Sequence, residues 1–358
     1  MKLFACQNCG QVLHFENTVC VSCGLRLGYL PDQGTLSAVK ADGANWTALA
    51  CLRQLYRFCA NWERSACNWL VAADAENPFC IACRHNRTIP DITQPANHAR
   101  WQKIEDAKRR LFYSLIKFNL PAPTADSGDG EPLVFDFLAD LPQAGARVLT
   151  GHDAGLITIA LSEADDAERE RMRTNLNEPY RTLLGHFRHE VGHYYWDRLI
   201  RDTGHVEDFR TVFGDERADY ATALKHHYEH GPRQGWQESY ISAYAASHPW
   251  EDWAESFAHY LHMVDTLEMA TAFGLAVAPL PEAERRLTAR FAGDPYEAPA
   301  LAPLIEAWLP LSVAVNALNR AMGQPDLYPF VLSPAAIGKM EFVHDAVRRR
   351  PDKTMAPC

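Results

Sequence analysis

The stretch His189-Glu190-Val-Gly-His193 constrains the fold of this chain more tightly than any other part of it. Histidines four residues apart share a face only on a helix, and two rings on one face can hold one metal ion. Glu190, one step round, is placed to take a proton from a water on that ion. A catalytic zinc takes three protein ligands and keeps a fourth position open. The chain must therefore carry a further acid or histidine on a second element packed against the first helix. A surface helix with two unrelated histidines is the plainer reading of the pentapeptide, so its surroundings decide.

The best downstream stretch is Tyr240-Ile-Ser-Ala-Tyr244, followed by Ser247-His-Pro-Trp-Glu251-Asp-Trp-Ala254-Glu255. Pro249 suits the first turn of a helix, and acids early in that helix suit its positive end. Glu251 and Glu255, four apart, share a face. One can ligate the metal while the other accepts the free N–H of a ligand histidine and fixes its tautomer. A competing acid lies nearer, in Asp215-Glu-Arg-Ala218-Asp219, whose plainer reading is an acid-rich helix start. Spacing alone leaves Glu251, Glu255 and Asp215 open as third ligand. His186, His226, His227 and His259 read as structural histidines.

Nine of the ten cysteines fall within the first 83 residues. Cys6-Gln-Asn-Cys9-Gly and Cys20-Val-Ser-Cys23-Gly are two zinc-ribbon knuckles, with a glycine after each pair to turn the backbone. These four thiolates complete a tetrahedron, which leaves His14 at the surface. A ribbon this small has little core and depends on its metal to fold. A second set follows, with Cys59, Cys67, Cys80 and Cys83 expected to bind a second structural zinc and Cys51 competing with Cys59. Clustered pairs suit metal sites rather than disulfides in a chain read as cytoplasmic. That reading rests on an N-terminus reaching Cys6 before any signal-peptide core forms, and on no apolar run of about 20 residues.

Residues 31–45 read as a linker, and 121–132, rich in Pro, Asp and Gly, as a domain boundary. Between them, Asn97–Leu120 has helical periodicity, with Trp101, Ile104, Ala107, Leu111 and Leu115 on one side. Short strands are expected at Leu133–Leu138, Ala146–Thr150 and Gly155–Leu161, the last a candidate edge strand for holding an extended peptide. A charged helix at Glu163–Thr174 and the histidine helix follow. Later helices are expected at Thr266–Ala278, Glu282–Phe291, Leu304–Met322 and Ser333–Arg348. Asn319–Phe330 reads as a packed connection between two helices rather than a wall of the cleft. The expected fold is α+β, mainly helical. A zinc ribbon at 1–30 and a second four-cysteine module at 46–120 precede a catalytic domain at 133–358.

Charge is unevenly spread. Residues 1–120 hold 14 Lys+Arg against 9 Asp+Glu, and 121–358 hold 21 against 36, for a net −10. Two four-thiolate zinc sites, each net −2, would reduce the N-terminal +5 to about +1. That is a weak footprint for nucleic acid, and a protein partner or substrate is expected instead, with no membrane.

The downstream acids also resemble known metallopeptidases. Glu251-x-x-Ala254-Glu255 looks like the second helix of the gluzincins. The match is closer to the lethal-factor type, where Tyr-Gly and four residues precede Ala-Glu-Phe-Phe-Ala-Glu. Here the corresponding run is Tyr244-Ala, four residues, then Trp250-Glu251-Asp252-Trp-Ala254-Glu255. The resemblance implies Glu251 as third zinc ligand, Glu255 as the acid behind a ligand histidine, and Tyr244 as the phenol that stabilises an oxyanion. Asp252 stands where that pattern has an aromatic. The whole chain is similar to a bacterial family described as zinc-binding metallopeptidases with an N-terminal zinc ribbon. The similarity rests on the paired knuckles, Cys67-Asn-Trp, Leu184–Trp196, Ser247–Glu255 and Asp326–Phe330.

These readings lead to an expected zinc endopeptidase of the HExxH, zincin type, with one catalytic and two structural Zn²⁺ and an intracellular protein substrate. His189, His193 and Glu251 would hold the catalytic ion, and Glu190 would activate its water. The alternative is an inactive zincin fold acting as a zinc-ribbon adaptor for protein or nucleic acid.

Overall fold

Strands make up most of the regular structure before residue 90 and helices most of it after residue 160. The computed structural model describes residues 2–140, 148–175, 178–280, 286–290 and 292–349. The chain divides into two compact units, Met1–Arg171 and Met172–Arg350. Among the described residues no helix is long and apolar enough to cross a membrane.

The first unit begins with the hairpin β1 (Phe4–Ala5) and β2 (Val12–Leu13). Then comes an antiparallel five-stranded sheet of β3 (Arg26–Leu30), β4 (Thr35–Asp42), β5 (Asn45–Ala48), β6 (Cys51–Phe58) and β7 (Leu70–Ala72), in that order. Residues 31–45 are therefore not a linker. Gly34 and Gly43, with φ of 56° and 60°, make tight turns around β4, so the Gly and Asp signals mark hairpins. Leu30, Val39, Ala48, Cys51, Tyr56 and Leu70 form the core of this sheet, fixing Cys51 there.

After β8 (Asn86–Thr88), helix α1 (Pro95–Lys117) buries Trp101, Ile104, Ala107, Leu111 and Leu115, the face set by its periodicity. The strands β9 (Val134–Leu138), β10 (Gly151–Asp153) and β11 (Leu156–Ala160) join β8 in a mixed sheet ordered β10-β11-β9-β8. Strand β11 pairs on both sides and is not an edge strand. The turn before it is tight: Ala154 and Gly155, at φ 45° and 78°, make a two-residue loop, and Gly151–Asp153 is strand. Of the strand expected at Ala146–Thr150, residues 146–147 lie outside the described set and 148–150 are not strand. Helix α2 (Asp166–Asn175) follows a 3₁₀ turn.

The second unit is helical. It contains α3 (Leu183–Trp196), α4 (Val206–Phe213), α5 (Tyr220–His230), α6 (Pro249–Ala272), α7 (Ala302–Ala321) and α8 (Pro334–Arg348). Helix α6 is the hub, with 16 buried residues among its 24, packed against α3, α7 and α8. It runs through the start of the helix expected at Thr266–Ala278. Within Glu282–Phe291, residues 282–285 and 291 lie outside the described set. In the described remainder, 286–287 form a 3₁₀ turn and Ala289 pairs with Val277 in an antiparallel bridge, so no α-helix spans 286–290.

Candidate metal centres

Each N-terminal knuckle closes on its own backbone. Gly10 N–H reaches Cys6 O at 2.8 Å and Gly24 N–H reaches Cys20 O at 2.8 Å, both glycines at φ +74°. This brings Cys6 Sγ to 3.7 Å from Cys23 Sγ and Cys9 Sγ to 3.6 Å from Cys20 Sγ. A tetrahedron with Zn–S bonds of about 2.3 Å has an edge of about 3.8 Å, so four sulfurs at this spacing suit one zinc. His14 is exposed and outside the group.

Cys59, Cys67, Cys80 and Cys83 converge in the same way, all buried, with Cys67 and Cys80 sulfurs 3.7 Å apart. Backbone N–H groups face the sulfurs, Trp69 N to Cys67 at 3.4 Å and Cys80 N to Cys59 at 3.3 Å. Helix α1 sets buried charge beside this group. Lys108 lies 2.9 Å from Glu105, whose carboxylate also meets the Cys83 thiol, and buried Arg109 donates to Ala66 O. Lys108 and Arg109 bring positive charge toward the −2 that four thiolates around Zn²⁺ would leave in the core, reduced by the acids Glu105 and Asp106 that pair with them.

The third group lies where α3 crosses α6. Thr182 caps α3, accepting Gly185 N–H at 3.0 Å, and His189 and His193 fall one turn apart on the helix. Opposite them, α6 starts at Pro249 with His248 as its cap. The two helices approach closely because Gly192 has no side chain: a Cβ there would stand 3.0 Å from Ala254 Cα and 3.2 Å from Ala254 O. Trp253 Nε1 donates to Gly192 O at 2.8 Å and fixes the crossing.

Glu251, 1% exposed, then points Oε2 at His189 Nε2 at 3.0 Å and His193 Nε2 at 3.5 Å, and the two Nε2 atoms lie 3.2 Å apart. His189 Nδ1 lies 2.9 Å from Glu255 Oε1, and Ser242 donates to Glu255 Oε2 at 2.6 Å. With Nδ1–H committed to Glu255, the His189 Nε2 carries a lone pair, and Glu251 Oε2 has no hydrogen-bond donor. Lone pairs converging in a buried site require a positive charge. Two nitrogens and one carboxylate oxygen form a ligand set that suits catalytic zinc.

A proton and a metal ion compete for the lone pair of His189 Nε2, since metal binding requires the neutral imidazole. Burial opposes a charge on His189, but Glu251 and Glu255 outweigh it and raise the imidazole well above its usual 6.5. Burial likewise opposes ionised Glu251 and Glu255. Even so, the imidazoles of His193 and His189 hold Glu251 well below its usual value, and His189 brings Glu255 down to about 2.

The remaining residues fall around this centre. Glu190 is partly exposed on α3, with no hydrogen-bond or ion-pair partner among the described residues. Tyr244 sets its ring 5.8 Å from that of His189, and burial followed by the Glu251 charge keeps its phenol protonated. Asp215 is exposed, 2.8 Å from Arg217, and outside the metal group. Asp252, in the place of an aromatic, meets Lys339 of α8 at 2.6 Å with both side chains buried. Tyr328 reaches His259 of α6 at 2.8 Å and Asn316 binds its backbone N–H and C=O, making Asp326–Phe330 a packed connection. Tyr220 and His248 carried no signal in the sequence. Tyr220 donates to Glu251 Oε1 at 2.5 Å, its phenol kept protonated by lost solvent and by the Glu251 charge. His227, read as structural, lies 5.8 Å ring to ring from Tyr244.

Residues 3–94 match a zinc-ribbon domain, and 97–346 match the family described as "Putative zinc-binding metallo-peptidase". Proteins of Mycobacterium bovis and Mycobacterium tuberculosis, described as uncharacterized, are 43% identical over 353 residues, covering 97% of this chain and 95% of theirs. No solved structure matches the chain. A match over most of the length, with the ligand-type residues gathered as above, means that the chain belongs to this zinc-binding metallopeptidase family and carries its zinc ribbon at the N-terminus.

Proposed function

We propose that this protein is a zinc-dependent endopeptidase of the HExxH type, its helical unit a zincin-like catalytic fold. His189, His193 and Glu251 hold the catalytic zinc. Two further zincs, in Cys6/Cys9/Cys20/Cys23 and in Cys59/Cys67/Cys80/Cys83, are structural. The observation that carries this reading is the convergence of His189 Nε2, His193 Nε2 and Glu251 Oε2 within 4.8 Å, with Glu255 fixing the tautomer of His189. The intact acid at position 190 supports catalysis over mere metal storage, because a storage site has no use for a base there.

Zinc held by His189, His193 and Glu251 would act as a Lewis acid, polarising a carbonyl and lowering the pKa of a water toward neutrality. Glu190 takes the proton of the attacking water and delivers it to the leaving amine. Tyr244 donates its O–H to the carbonyl oxygen as that atom gains charge. The cysteine-rich unit recruits or orients a protein substrate inside the cell. Exchanging Glu190 for Gln keeps the shape of the site but removes the base. The Glu190→Gln protein should retain its third zinc by elemental analysis and lose about 100-fold or more in peptide turnover. Full activity in that variant contradicts the mechanism.

A further inference from the structure

Helix α5 is mostly exposed, with Ala223, Leu224 and His227 half-buried and no residue fully buried. Its start is held by His248, the cap of α6. His248 Nδ1 accepts Trp250 N–H at 3.1 Å, so Nε2 carries the proton and donates to Ala218 O at 3.0 Å. The His248 ring also stands edge-on to Tyr220, 5.1 Å between centroids. Anchored this way, Tyr220 reaches across to Glu251 Oε1, while Oε2 of the same carboxylate faces the two imidazoles.

A carboxylate left free to turn about its last torsion, which is broad and two-fold, can offer either oxygen or both. Holding Oε1 removes that choice. We infer that Tyr220 is a positioning residue of the metal centre, fixing Glu251 so that Oε2 alone faces His189 and His193, and that His248 fixes Tyr220 in turn. This rests on the reading of His189, His193 and Glu251 as zinc ligands. Groups behind a metal ligand set its orientation, and removing one costs about 10- to 100-fold in metal affinity or activity.

Tyr220→Phe removes one hydroxyl and keeps the ring that packs on His248. The test uses the full chain with both cysteine groups loaded and the third site emptied by mild chelation. Zinc is then titrated in competition with a chromophoric chelator, and in a parallel sample cobalt(II) binding is followed by visible absorption. The variant should bind zinc about 10- to 100-fold more weakly. Its cobalt bands should shift as the released Oε1 turns to the ion. A loss of helix packing alone would not change those bands. Tyr228→Phe, on the same helix, removes a phenol that meets Tyr244 and not a ligand, and should leave both readouts unchanged.

Equal zinc affinity and superimposable cobalt spectra in Tyr220→Phe overturn the positioning role and leave the zinc reading intact. An equal loss in Tyr228→Phe overturns it too, because general damage to α5 would then account for the effect. Wild-type protein that takes up no third zinc defeats the zinc reading, and this inference with it.

Discussion

At the residue scale the candidate metal centre depends on a few atoms held in place by close packing. Gly192 is the clearest case. In a helix interior alanine is favoured over glycine by about 1 kcal/mol, so Gly192→Ala would stabilise an isolated α3. Here the added methyl meets Ala254 Cα and O, which are backbone atoms of a buried helix and cannot swing aside. The substitution should therefore destabilise the protein by about 1–3 kcal/mol in urea unfolding and weaken the third zinc in chelator competition. Unchanged values would mean that the helices do not need their close approach. Residues of this kind were unevenly legible in the sequence. His189, Glu190 and His193 announce themselves by spacing, and Glu251 with Glu255 by their shared face. Tyr220 does not, because it acts across a loop from an exposed helix and repeats no pattern. His248 is equally silent: a histidine cap before Pro249 shows its role only once Ala218 stands beside its Nε2.

At the scale of elements, α6 carries the site and is tied down by charge as well as by packing. Burial pushes the Asp252 carboxyl up to about 7, while Lys339 of α8 pulls it down. Lys339→Met keeps the stem and removes the charge, leaving Asp252 buried without its cation. Breaking one side of such a pair costs about 3–5 kcal/mol only where the remaining charge stays ionised. With its carboxyl near 7, Asp252 can take up a proton when Lys339 is lost. The destabilisation in equilibrium unfolding should therefore be small at about pH 6 and grow as the pH rises above about 7. A loss independent of pH would contradict the pairing. Elements with one long apolar period, such as α1, α7 and α8, were readable from sequence to within a few residues. Strand β4 was hidden because Gly34 and Gly43 look alike whether they end a linker or turn a hairpin. The end of α6 was missed because a helix buried on several sides has no single apolar face to follow. Strands β9 and β11 lie where the sequence puts them, but the place of β11 inside the sheet does not follow from the sequence. Which strands flank another is set by pairing partners distant in sequence, here β9 and β10.

At the scale of the whole molecule, the described residues gather three groups that could hold a metal, of two chemical kinds. Two are closed sets of four sulfurs, and one is a three-ligand set that leaves a position open. The closed sets hold their parts of the first unit together and should resist mild chelation, whereas the open one should exchange. Metal stoichiometry therefore tests the central claim most directly. Elemental analysis should find three zincs per chain in the wild type and two in Glu251→Ala, the same two that remain in wild type after mild chelation. Two zincs in the wild type, or three in Glu251→Ala, would contradict a zinc held by His189, His193 and Glu251.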